Sequence, residues 1–79
     1  MWEEVYKTCE LVYGARQVKP GGVRVLQTFK DYTVDFRLKE FRKISETEPP
    51  EFIDFRSNEG ADLIDEMYDA VVRILEQEA

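Results

Sequence analysis

The clearest hydrophobic pattern lies near the end of the chain, where Leu63, Ile64, Met67, Tyr68, Val71, Ile74 and Leu75 recur at three- and four-residue spacing. At 100° per residue they share an arc of about 140°, and Asp62, Asp65, Glu66, Asp69, Arg73 and Glu76 take the opposite side. The pattern predicts a helix from Asn58 to Gln77, with Ser57 as N-cap and Glu59 and Asp62 near the positive end of its dipole. Gly60 is tolerable so close to the helix start and would be costly further in. A second stripe, Trp2, Val5, Tyr6, Cys9, Val12 and Tyr13, has helical spacing with only Leu11 off it. It predicts an N-terminal helix ending at Gly14, which stands where a left-handed C-cap would be. The competing reading pairs "VYGARQV" with "VRVLQTF" as a hairpin around "KPGG", where Pro-Gly fits the centre of a type II turn.

Between the helices the period changes from about 3.6 to 2. Val23 to Phe29 and Tyr32 to Lys39 are rich in β-branched and aromatic residues, and Lys30-Asp31 between them predicts an antiparallel hairpin. In the second segment Tyr32, Val34, Phe36 and Leu38 alternate with Thr33, Asp35, Arg37 and Lys39, one set facing the core and the other solvent. The alternation fails at Glu40 and Phe41. A bulge or strand end there would return Phe41, and with it Ile44, to the interior. A helix from Asp35 is the alternative, aligning Leu38, Phe41 and Ile44 but exposing Phe36. "SETEPPE" is a loop punctuated by Pro49 and Pro50, and "FIDF" at 52–55 predicts a third short strand.

These elements make an α+β, two-layer domain: a small antiparallel sheet of about three strands with N-terminal and C-terminal helices packed on one face. The expected core is Phe36, Leu38, Ile53, Phe55, Leu63, Met67, Val71 and Ile74. The 79 residues suit a single domain, residues 1–79, of a size that gains from a partner chain. No leader or long apolar run suggests secretion or a membrane, so the expected location is cytoplasmic. Cys9, the one cysteine, lies on the apolar stripe and reads as an inert core thiol.

Charge adds a second layer to this picture. The net charge is −6, but residues 19–44 carry seven Lys/Arg against three Asp/Glu, and residues 45–79 carry two against eleven. The chain is electrically two-sided. Asp62, Asp65, Glu66, Asp69 and Glu76 form a candidate acidic interaction face, able to imitate a nucleic-acid backbone in the basic groove of another protein. Arg37, Lys39, Arg42 and Lys43 form a candidate basic face able to touch phosphates. The aromatic side chains expected opposite those cations read as core and not as a stacking platform.

Little points to catalysis. There is no histidine, which removes the commonest general base and metal ligand. Neither a phosphate-binding glycine loop nor a zinc motif is present. Asp62, Glu66 and Asp69, at i, i+4 and i+7, could hold Mg²⁺ or Ca²⁺, but a solvated face with an Asp69–Arg73 ion pair is the simpler reading. The expectation is a non-enzyme without cofactor or metal: a protein-interaction or assembly domain, a regulatory role being one form of this, with a protein partner or homo-oligomer. The alternatives are the acidic mimic acting through the C-terminal helix and a nucleic-acid binder acting through the basic strand face.

"YTVDFRLKEFRK" followed by "EFIDFRSNEGADLIDEM", within residues 32–67, resembles small uncharacterised bacterial and archaeal proteins. The resemblance implies a natural stand-alone domain. It carries no catalytic residues across.

Overall fold

The structure, a computed structural model, describes residues 2–18, 21–45 and 48–78. It is α+β, with helix α1 (Trp2–Tyr13), strands β1 (Arg16–Val18), β2 (Val23–Val25), β3 (Gln27–Phe29), β4 (Tyr32–Asp35), β5 (Glu40–Lys43) and β6 (Glu51–Asp54), and helix α2 (Asn58–Glu78). The strands form two antiparallel sheets, the pair β1-β2 and the four-stranded sheet β3-β4-β5-β6. Among the described residues there are therefore six strands where the sequence pattern suggests about three.

Both N-terminal readings contribute. The helix ends at Tyr13, and the chain then makes the short hairpin β1-β2, with Arg16 opposite Val25 and Val18 opposite Val23. The turn expected at Pro20 lies in part outside the described residues. Gly21 and Gly22 follow with φ of 95° and 64°, a backbone that side chains resist. Gly14 is not a left-handed cap: its N–H donates to the Glu10 carbonyl at 2.9 Å, and its φ is not positive. The expected strand from Val23 to Phe29 is broken at Leu26 into β2 and β3.

The largest departure concerns residues 36–39. They form neither a continuing strand, a bulge nor a helix, but a four-residue turn that reverses the chain so that Asp35 pairs with Glu40 and Val34 with Phe41. Asp35 Oδ1 accepts the N–H groups of Arg37 at 2.9 Å and Leu38 at 3.1 Å. A side-chain acceptor of this kind competes with strand pairing and starts a turn. Lys39 closes the turn in the left-handed region at φ 55°, and its carbonyl accepts the Phe55 N–H at 3.0 Å.

Register then sets the core. Val34, Phe41 and Ile53 stand side by side across β4, β5 and β6, with Phe29 on the same face of β3. All four join a single buried cluster with Tyr6 and Cys9 of α1, Phe36 and Phe55, and Leu63, Ile64, Met67 and Val71 of α2. Phe55 is its centre: its ring meets Tyr6, Phe36 and Phe41 at centroid distances of 5.2, 5.5 and 4.9 Å. Burying one such aromatic stabilises the fold by about 1.5–3 kcal/mol. Leu38, expected in this core, is instead exposed on the turn, Ile74 is half-buried, and Ile44 is exposed. Phe41 does reach the interior, through a new strand and not through a bulge.

Helix α2 starts where the sequence placed it. Ser57 Oγ accepts the Gly60 N–H at 3.0 Å and donates to the Asp54 carbonyl at 2.7 Å. Gly60 is required there: a Cβ at this position would lie 1.9 Å from the Asp54 carbonyl oxygen and 3.0 Å from Phe55 Cα. The helix start is thus pressed against the end of β6.

Candidate interaction surfaces

The acidic face survives folding. Asp62, Asp65, Glu66, Asp69 and Glu76 are all exposed, on the side of α2 away from Leu63, Ile64, Met67 and Val71. Their Cα positions span about 21 Å of helix. Glu66 is engaged by the Lys30 ammonium, which also lies 5.9 Å from the centroid of the Phe29 ring. The Asp69–Arg73 ion pair expected along the helix is not formed: among the described residues the ion pairs are Lys30–Glu66 and Arg24–Asp35. No group of three side chains suited to a metal ion is assembled among the described residues.

The candidate basic face is divided. Arg37 and Lys39 belong to the 36–39 turn, while Arg42 and Lys43 lie on β5. As neighbours in a strand, Arg42 and Lys43 point to opposite faces of the sheet. The four cations thus lie on the turn and on the strand that follows it, and not along one continuing strand. Arg42 and Lys43 instead border a groove of about 280 Å³ with Thr33, Ile44, Ser45 and Pro50.

A third surface corresponds to the competing hairpin reading of the N-terminal sequence. The β1-β2 ribbon leaves the edge of the main sheet and carries exposed Val23 and Val25. Register puts Arg16, Val23 and Val25 on one face and Gln17 and Arg24 on the other. The Arg24 guanidinium lies 4.0 Å from the Asp35 carboxylate, so that second face is turned toward the body. The sequence signal for it is "VRV" preceded by the residues Pro-Gly-Gly.

No family model, curated protein or solved structure matches the chain. Its surfaces must therefore be read from their own chemistry.

Cys9 is fully buried, and desolvation pushes its thiol up to about 11. It stays protonated at neutral pH, and a protonated buried thiol is a poor nucleophile. Tyr6 is also raised, first by burial, with the Arg56 charge opposing and Asp54 and Glu3 adding to the shift. No helix among the described residues is long and apolar enough to cross a membrane.

Proposed function

We propose that this chain is a non-catalytic protein-interaction or assembly domain. One observation carries the reading. The chain exposes 5909 Å², about 900 Å² more than a compact monomer of 9.3 kDa is expected to expose. A standard interface takes about 800 Å² from each partner. The dimensions agree: the molecule measures 40 × 38 × 20 Å with a radius of gyration of 13.1 Å, against about 11.6 Å for a compact chain of this length. A thin slab with a projecting ribbon keeps surface that a rounder fold would bury.

The experiment is affinity capture of the tagged full chain with mass spectrometry of what is retained, beside light scattering of the purified protein. A saturable complex, with itself or with another protein, is expected. A chain that stays monomeric at high concentration and retains nothing above a mock column contradicts the reading.

A further inference from the structure

Resting on that reading, we infer that the partner is a second copy of this chain, held by the β1-β2 ribbon of each copy lying on α2 of the other. The ribbon supplies the first half of the argument. A two-stranded hairpin is marginally stable alone in water, yet this one presents Val23 and Val25, 63% and 42% exposed, beside exposed Arg16 on its outward face. Residues 15–26 contain Arg16, Lys19 and Arg24 and no acidic residue. What covers this face must offer apolar contact and negative charge together.

Helix α2 offers that combination. Asp65, Tyr68, Asp69 and Val72 recur at i, i+3, i+4 and i+7 and so form one continuous patch. Tyr68 is 36% exposed, Val72 is half-buried, and Asp65 and Asp69 are exposed. Neither aspartate has a cation partner among the described residues. Val23 and Val25 match Tyr68 and Val72, and Arg16 matches the two carboxylates. Among the described residues of one chain the match is not made, since the valines stay exposed and the two aspartates have no cation partner. Between two copies related by a twofold axis it is made twice, because each copy brings both halves. The surplus surface of about 900 Å² suits an interface of standard size.

The test uses charge reversal and remixing on the full chain, followed by light scattering and sedimentation, with melting curves to confirm that each variant folds. The wild-type protein is expected to reach dimer mass, and more weakly as salt is raised. Arg16→Glu alone, and Asp65→Arg/Asp69→Arg alone, should each weaken the dimer at least tenfold, since like charges then face each other. An equimolar mixture of the two variants should regain dimer mass, because each ribbon then meets a helix of opposite sign. Variants that dimerise like the wild type, or a mixture that stays monomeric, overturn the inference. A wild-type chain that is monomeric but captures a different protein overturns it while leaving the binding-domain reading standing. A monomeric chain that retards an oligonucleotide through Arg16 overturns both in favour of nucleic acid.

Discussion

Val34 and Val25 are both strand valines in antiparallel pairs, and they have opposite fates. Val34 is inaccessible in the four-stranded sheet, between Phe41 on one neighbouring strand and Gln27 on the other, beneath the helices. Val25 is 42% exposed in the β1-β2 ribbon, paired with Arg16. Both valines are in antiparallel pairs, Val34 with a neighbour on each side and Val25 with one, but in-plane pairing covers neither face of a strand. What decides burial is whether another layer lies on the strand face. In the main sheet α1 and α2 share a core with that face; among the described residues no such layer covers Val23 and Val25 of the ribbon.

The sharpest way to test the contrast is to remove side chains from both regions. Phe41→Ala, at a fully buried ring packed on Phe55 and Tyr32, should cost about 3–5 kcal/mol in urea denaturation. Val23→Ala, measured in dilute protein, should stay within about 0.5 kcal/mol. Comparable losses at the two sites would break the comparison. Gly60→Ala probes the join between sheet and helix. Its Cβ would fall inside the Asp54 carbonyl, so the body should lose about 3 kcal/mol through forced movement of α2 against β6. A variant as stable as the wild type would show that this close approach is not required.

Cys9 gives the contrast a pH dependence. Its thiol titrates near 9 when unfolded and at about 11 in the fold, because burial disfavours the thiolate. The folded-state value is raised, so this contribution to stability is fully present below pH 9 and is lost as pH rises toward and through about 11. The denaturation midpoint of the wild type should fall over that window, and Cys9→Ala should lack this component of the fall. Equal slopes in the two proteins would place Cys9 outside the core. A gain in place of a loss is expected at the 36–39 turn, where Lys39→Gly relieves a left-handed φ of 55° and should raise stability by about 0.5–1 kcal/mol.

That turn also explains how far the sequence could be read. Helix α2 is legible to within a residue because its apolar period runs from Leu63 to Leu75, about three turns, and Ser57 caps it. The acidic face followed directly, since a helix face depends only on spacing within one element. The stretch from Phe36 to Lys39 was misread because Phe36 and Leu38 keep the alternation of a strand, while the features that end it are quiet. One is an aspartate that accepts two backbone N–H groups, and the other is a left-handed lysine where glycine or asparagine would have been a clear signal. The same turn distributes the four cations over two elements, with Arg37 and Lys39 in the turn and Arg42 and Lys43 on β5. At the N-terminus helix and hairpin are rival readings of overlapping sequence, and residues 2–13 and 16–25 accommodate both in turn.

On the inference above, the ribbon is completed by a second copy of the chain. Amide hydrogen exchange followed residue by residue, from dilute to concentrated protein, tests it most directly. The account predicts that the amides of β1 and β2 and of the Asp65–Val72 stretch gain protection together as the dimer forms, while those at Val34 and Phe41 stay protected throughout. Ribbon amides that exchange at one rate at every concentration, in a chain that remains monomeric, would contradict it.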